Sequence, residues 1–195
     1  MKRLFDLLSS FLGLIILSPL LLLLSLAIVI DSKGGVFYKQ KRIGKNGKPF
    51  MLYKFRSMRT GADKKGLLTV GTNDDRTTKV GRFIRKYKLD ELPQLINILK
   101  NEMSIVGPRP EVEKYVNLYT AKQRKVLEVK PGLTDLASLA YLNENEILGK
   151  AIDPEKTYIE QIMPAKLKLN MEYIEKQSFW FDLKIIFLTL KKIVH

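Results

Sequence analysis

The chain has 195 residues, which suffices for one globular domain and is too short for two ordinary ones. It contains no cysteine and a single, C-terminal histidine, His195, which excludes disulfides and thiolate chemistry and argues against a Ser-His-Asp triad or a histidine-rich metal site. The formal net charge is +14, and residues 32–109, with 19 basic and 6 acidic side chains, hold +13 of it, which predicts a phosphate, acidic lipid or nucleic acid as partner.

The first element is an apolar segment of 24 residues, Leu7–Ile30, without a charged side chain. About 20 such residues suffice to cross a bilayer as a helix. The segment is longer than the apolar core of a signal peptide, about 7–15 residues, and no small-residue cleavage pattern follows it. A simple transmembrane helix and a re-entrant one both remain open.

Ser18-Pro19 lies near the middle of this segment and predicts a kink. Proline has no N–H and clashes with the carbonyl four residues earlier, at Ile15, which the Ser18 hydroxyl could satisfy. Basic residues stand on both sides of the segment, and such residues stay on the cytoplasmic side. We therefore favour a re-entrant hairpin that enters and leaves by the same membrane face.

A β-hairpin is predicted next, with strands at Val36–Arg42 and Phe50–Ser57 and a tight turn at Asn46-Gly47. Its basic residues either form a solvated face or point towards headgroups or a phosphorylated ligand. They are Lys39, Lys41, Lys54 and Arg56.

Turn-forming residues over Gly61–Asp75 predict a loop, and an amphipathic helix is expected after it. The apolar positions of this helix follow the i, i+3, i+4, i+7 spacing and are Val80, Phe83, Ile84 and Tyr87. Its polar residues are Lys79, Arg82, Arg85 and Lys86.

Two adjacent acids, Asp90 and Glu91, follow in "KLDELPQL". Pro93 is acceptable only near the start of a helix, so the next helix is expected to begin at about Asp90 or Glu91. The acids would then lie on its first turn, where anions are favoured. Ordinary helix capping and a catalytic acid pair that meets a phosphate ester both explain this placement.

The turn "SIVGPRP" holds Arg109 between Pro108 and Pro110 with little conformational freedom. A fixed arginine beside a helix N-terminus is suited to bind phosphate. The acids would attack or hold Mg²⁺, while Arg109 and upstream bases neutralise phosphate oxygens.

The remaining sequence predicts a helix that ends before Pro131-Gly132, a helix from Pro164 and a last helix in "FWFDLKIIFLTLKKIV". The segment between them is expected to hold a strand or a short helix. The last helix is interfacial or part of the core, and its apolar positions are Trp180, Leu183, Phe187, Leu190 and Val194.

Three motifs, "YKFRSM", "KLDELPQLINILKNEMSIVGPRP" and "KPGLTD", behind a Ser-Pro-broken apolar segment, resemble the bacterial sugar transferase family, the monotopic phosphoglycosyl transferases. The likeness covers essentially the whole chain. It implies transfer of a sugar-1-phosphate from a UDP-sugar to polyprenyl phosphate, typically undecaprenyl phosphate, with release of UMP and with Mg²⁺ as cofactor. Such enzymes start surface glycan synthesis.

The resemblance also assigns roles to residues. Asp90 corresponds to the nucleophile that forms a covalent aspartyl-phosphosugar, and Glu91 to the second acid, with metal or proton-handling duty. Arg109, with Pro108 and Pro110, corresponds to the turn near the nucleotide. Lys54, Arg56 and Arg85 are further candidate substrate-binding residues, and Ser18 and Pro19 match the family's membrane-helix break.

The pKa of Asp90, beside Arg109 at a helix N-terminus, is expected to fall. The chain departs from the family pattern after "KPGLT". Asp135, Leu136 and Ser138 replace glycine, tryptophan and glutamine. The acid pair is untouched, so the reaction type stands while the sugar is not identified.

The predicted fold is α+β and mainly helical: a re-entrant membrane hairpin over residues 1–31, then a cytosolic catalytic domain over 32–195 with a small β-hairpin and interfacial helices. The expected location is the cytoplasmic face of the bacterial inner membrane, with lipids as partners and room for downstream glycosyltransferases or an oligomer. A membrane-tethered nucleic-acid-binding protein is disfavoured, because the acids would repel phosphates, and a non-enzymatic scaffold is the other alternative.

Overall fold

The computed structural model describes residues 1–62, 66, 68, 70, 71 and 74–194. Part of the loop predicted over 61–75, and His195, lie outside the described residues. The described chain is mainly helical with two small sheets, which confirms the α+β prediction. In chain order the elements are α1 Lys2–Asp31, β1 Phe37–Ile43, β2 Pro49–Phe55, α2 Lys79–Lys86, α3 Gln94–Leu99, β3 Ser104–Val106, α4 Glu113–Val116, β4 Gly132–Thr134, α5 Leu136–Ala140, α6 Glu144–Lys150, α7 Pro154–Thr157, α8 Met163–Glu175 and α9 Phe179–Val194.

Helix α1 is long and apolar enough to cross a membrane, and it continues through the predicted break at Ser18-Pro19. The Ser18 hydroxyl donates to the Ile15 carbonyl oxygen at 2.7 Å. Pro19 has no N–H to donate to this carbonyl, and the Ser18 hydroxyl supplies a hydrogen bond in its place, as predicted. The structure describes one helix rather than two arms, and the re-entrant hairpin stays a prediction.

Both ends of α1 contact the rest of the chain. Near its start, the Asp6 carboxylate accepts the Ser104 hydroxyl at 2.8 Å and the Ile105 N–H at 3.1 Å. At its end, the Asp31 carboxylate accepts the Val80 N–H at 2.9 Å. The opposite face is apolar and exposed, with Leu4, Leu8, Phe11, Leu12, Ile15, Ile16, Leu22, Leu23, Leu26, Val29 and Ile30.

The predicted β-hairpin is confirmed, with β1 and β2 antiparallel and Phe37 opposite Phe55. The connection is a 3₁₀ turn, Lys45–Gly47, in which Asn46 and Gly47 have φ angles of 56° and 73°. Phe55 packs into one core cluster with Leu24 and Ile28 of α1 and Ile84 of α2. The hairpin is therefore held against α1 and α2.

A second sheet, which the sequence did not predict, pairs β3 and β4 in parallel, with Ser104 opposite Gly132 and Val106 opposite Thr134. The backbones of Gly107 and Gly132 approach so closely that a Cβ at Gly132 would lie 2.1 Å from the Gly107 nitrogen. The sheet thereby joins the turn that carries Arg109 to the "KPGLTD" segment.

The C-terminal helices α8 and α9 agree with the prediction, and a π-helical turn, Tyr158–Ile162, precedes α8. On α9, Ile185 and Asp182 are buried, while Trp180 is 78 % exposed and Phe187 67 % exposed. The helix expected before Pro131 is a 3₁₀ segment, Gln123–Glu128. The exposed aromatic face of α9 favours the interfacial interpretation over core packing.

Candidate active site

The acid pair lies on a 3₁₀ turn, Leu89–Glu91, that follows Lys88 in the left-handed region at φ 56°. Helix α3 begins later than predicted, at Gln94, with Pro93 as its N-cap. No side-chain hydrogen bond caps either the turn or α3. The capping interpretation of Asp90 and Glu91 is therefore wrong.

Glu91 is bound by two cations. The Arg109 guanidinium donates to both oxygens of its carboxylate, one of them at 3.1 Å, and the Lys54 ammonium donates at 3.2 Å. Burial alone would raise the pKa of Glu91, but Arg109 and Lys54 hold it well below its usual range. Glu91 in turn raises the pKa of Arg109. Burial lowers the pKa of Lys54 against the opposing attraction of Glu91.

Asp90 is only 7 % exposed, and its contacts differ from those of Glu91. Among the described residues, no hydrogen bond or ion pair engages its carboxylate. Burial and the neighbouring Glu91 raise the pKa of Asp90, and Lys54 and Arg85 offset this only in part. The expectation that its pKa falls is wrong, because desolvation and the adjacent acid outweigh the bases.

Arg109 is positioned by a residue that the sequence did not assign to the site. The fully buried carboxylate of Asp135 accepts the backbone N–H of Arg109 at 2.8 Å. Its other oxygen accepts the Ser138 N–H and so caps α5. Arg42 also holds the turn, by donating to the Pro110 carbonyl at 3.0 Å. The only sequence signal for Asp135 was its departure from the family pattern.

A cavity of about 760 Å³ brings most of the predicted site residues together. Of them, Pro108 is not part of its lining; the Pro108 carbonyl accepts the Gly132 N–H at 3.0 Å. Ser18 and Pro19 lie on α1, outside the lining. Lys88 is a lining residue that the sequence analysis did not assign. The predicted residues that line the cavity are Lys54, Arg56, Arg85, Asp90, Glu91, Arg109 and Pro110.

Arg56 is largely committed to structure. Its guanidinium donates to the carbonyls of Ser32 at 2.6 Å, Lys33 at 2.8 Å and Ile28 at 3.3 Å. Ile28 lies in the last turn of α1, and Ser32 and Lys33 directly follow its end at Asp31. In this structure Arg56 therefore fastens α1 to the hairpin.

The carboxylates of the site could bind a Mg²⁺ ion only together with additional ligands such as substrate phosphates. In the part of the chain that the structure describes, no group of three or more histidine, cysteine or acidic side chains could hold a metal. Asp90 offers one unengaged carboxylate, and Glu91 is paired with Arg109 and Lys54. Mg²⁺ often binds one or two carboxylates together with substrate phosphates. The site supplies such a carboxylate and lacks a complete protein cage.

Comparison with known proteins gives a consistent result. The family model described as "Bacterial sugar transferase" matches residues 1–195. The chain is 43% identical over 195 residues to "Uncharacterized sugar transferase EpsL" of Bacillus subtilis (strain 168), and it covers 87% of that protein.

Two longer relatives carry specific names. Over 200 residues the chain is 38% identical to "UDP-glucose:undecaprenyl-phosphate glucose-1-phosphate transferase" of Escherichia coli (strain K12), with 98% of this chain and 40% of the relative covered. Over 198 residues it is 34% identical to "UDP-N-acetylgalactosamine-undecaprenyl-phosphate N-acetylgalactosaminephosphotransferase" of Aeromonas hydrophila, with 99% and 43% covered. The chain thus spans about two fifths of the length of each of these two relatives.

Proposed function

The chain belongs to the bacterial sugar transferase family, and on that premise we propose that it transfers a sugar-1-phosphate from a UDP-sugar to polyprenyl phosphate, with undecaprenyl phosphate as the acceptor, and releases UMP. The observation that carries the proposal is the buried, unengaged carboxylate of Asp90 in a cavity lined with basic residues. The two longer relatives named above act, by their names, with undecaprenyl phosphate. The product would start the synthesis of a surface glycan.

The reaction proceeds in two displacements. An oxygen of Asp90 attacks the phosphorus that bears the sugar, the phosphoanhydride bond breaks, and UMP leaves with the bridging oxygen. An oxygen of the polyprenyl phosphate then attacks the same phosphorus and breaks the bond to Asp90. Because no cysteine or described histidine competes for the role, a carboxylate is the available covalent nucleophile.

The neighbouring charges prepare the site for the donor. Arg109, Lys54 and Arg85 offer positive charge to the diphosphate, and Asp135 fixes the backbone that presents Arg109. Glu91 keeps Arg109 and Lys54 in place before the donor binds. Asp90 and Glu91 would hold a Mg²⁺ ion, which supplies positive charge that lowers the repulsion between a carboxylate and a diphosphate.

The location that we propose is the cytoplasmic face of the bacterial inner membrane, with α1 inserted from one side. Its apolar face, the exposed aromatics of α9, and the pair Phe83 and Tyr87 of α2 offer contacts to lipid. A lipid phosphate could then reach the cavity without leaving the bilayer.

The test is a screen for UMP release by the full-length protein from a panel of UDP-sugars, with polyprenyl phosphate and Mg²⁺. We expect turnover of one or more donors, and at least a thousandfold loss in Asp90→Asn, because the amide is a poor nucleophile. The matched control is Asp153→Asn, an exposed cap of α7 that asparagine also satisfies, with unchanged turnover. No UMP from any donor would favour a scaffold, and normal turnover by Asp90→Asn would end the nucleophile assignment.

A further inference from the structure

The lining of the cavity that contains Asp90 also includes residues of α8, to which the proposed chemistry gives no role. Its wall there is one face of α8, spaced i, i+3, i+4, i+7 along the helix. The residues of this face are Met163, Lys166, Leu167 and Asn170.

Asn170 is the unexplained member of this wall. It is 4 % exposed, and its side-chain oxygen has no hydrogen-bond partner in the described chain. Buried polar atoms are nearly always hydrogen-bonded, so an exception calls for a functional explanation. Ser10 and Gln94 also have an unpartnered buried atom but do not line the cavity, and Arg56 makes three other hydrogen bonds.

The surroundings of Asn170 suit a neutral polar ligand. Lys166 donates to Glu144 at 2.6 Å, with side chains 14 % and 23 % exposed. Lys192 donates to the Leu139 carbonyl at 2.6 Å. Both lysines are thus already engaged by protein oxygens. The cavity lining here also includes Ser138 and Tyr141.

We propose that Asn170, with the Lys166–Glu144 pair, forms the subsite for the sugar ring of the donor, and that the Asn170 side-chain amide hydrogen-bonds a hydroxyl or acetamido group of that ring. This inference rests on the proposed function. The polar groups are spread over helices α5, α6 and α8, which suits hydroxyls around a ring better than the single edge of a uracil base. The two longer relatives are named for different sugars, glucose and N-acetylgalactosamine, which requires recognition beyond the nucleotide.

The experiment uses the full-length protein and the UDP-sugar that it accepts. Asn170→Leu removes the hydrogen-bonding atoms at similar volume, Asn170→Asp keeps an acceptor oxygen, and exposed Asn117→Ala is the control. We expect kcat/KM to fall about tenfold in Asn170→Leu, the loss typical of one hydrogen bond, and less in Asn170→Asp. Inhibition by UMP, which lacks the sugar, should be unchanged.

Thermal unfolding separates this role from a structural one. Because the Asn170 oxygen has no protein partner, Asn170→Leu should match or exceed the wild-type Tm. Three results would overturn the inference: wild-type kinetics in Asn170→Leu, UMP inhibition weakened as much as kcat/KM, or a Tm well below wild type. A wild-type protein that releases no UMP from any UDP-sugar would instead remove the proposed function, and the inference with it.

Discussion

Asp90 and Glu91 are neighbours in sequence whose environments push their pKa values apart. Asp90 is buried without a partner, which raises its pKa, while Arg109 and Lys54 lower that of Glu91. Such a division gives two carboxylates different tasks. In the proposed mechanism Asp90 makes the displacement, and Glu91 holds the two cations in place.

This division predicts opposite effects on stability. The folded pKa of Asp90 lies above its unfolded value of about 3.9, so ionised Asp90 destabilises the fold at neutral pH, and this penalty shrinks as the pH falls below the folded pKa and vanishes below the unfolded one. Asp90→Asn should therefore have a higher Tm than wild type at pH 8, and the difference should shrink as the pH is lowered towards the unfolded pKa.

Glu91→Gln provides the contrast. Its folded pKa is depressed, so its stabilising contribution is present throughout this pH range and would be lost only at much lower pH. Breaking a buried ion pair costs about 3 kcal/mol, so Glu91→Gln should lower the Tm at pH 8 and pH 5 alike. Thermal unfolding of the wild type and the two variants in the same detergent tests both expected changes in Tm. A lower Tm for Asp90→Asn at pH 8 would mean that its carboxylate has a stabilising partner.

The sequence alone identified the charged residues of the site but not their pairing. The acid pair, Arg109 and Lys54 could be chosen because residue type and order carry that information. The pairing of Glu91 with Lys54, 37 positions earlier, depends on the hairpin packing beside the 3₁₀ turn. Asp135 acts on Arg109 through the β3–β4 pairing, and each strand has only three residues, too few for a periodic pattern.

Among the elements, those with a sustained pattern were predictable: α1, the β-hairpin, α2, α8 and α9. The start of α3 was placed too early because Pro93 permits a 3₁₀ turn before the helix as readily as a helical first turn. Continuity of α1 through Pro19 follows from the Ser18 bond to the Ile15 carbonyl and from side-chain packing along the helix.

The length and the contacts of helix α1 predict on which side of the membrane its two ends lie. Its 30 residues extend about 45 Å at 1.5 Å per residue. If α1 crossed the bilayer as a straight helix, its two ends would lie on opposite sides of the membrane. Asp6 and Asp31, near the two ends, nevertheless both hydrogen-bond to the same folded body. Both ends of α1 are therefore expected on one side of the membrane.

Site-directed labelling tests this topology, because the chain has no native cysteine. One variant carries a cysteine inserted after Met1, a second carries Gly35→Cys, where a side chain meets open space, and exposed Asn117→Cys marks the folded part of the chain that follows α1. A membrane-impermeant maleimide should modify all three from the same face of oriented vesicles. Reaction of the first variant from the opposite face would establish a true span.

At the scale of the whole molecule, charge and hydropathy distinguish a basic segment from exposed apolar surfaces. The basic segment 32–109 contributes Lys54, Arg85 and Arg109 to the cavity, together with the acid pair. The exposed apolar face of α1 and the aromatics of α9 adjoin through the edge-to-face contact of Phe5 with Phe179. The proposed transfer of a soluble phosphosugar to a lipid requires a cavity with basic residues and an exposed apolar surface in one small domain, and the described chain has both.

The central claim is that Asp90 forms a bond to phosphorus, and the intact mass of the protein tests it most directly. The full-length protein is incubated with its accepted UDP-sugar and Mg²⁺ but without polyprenyl phosphate. We predict a mass increase equal to one sugar phosphate in the wild type and in Asp153→Asn, its absence in Asp90→Asn, and its loss when polyprenyl phosphate is added. UMP release by a wild type that never gains this mass would contradict the account.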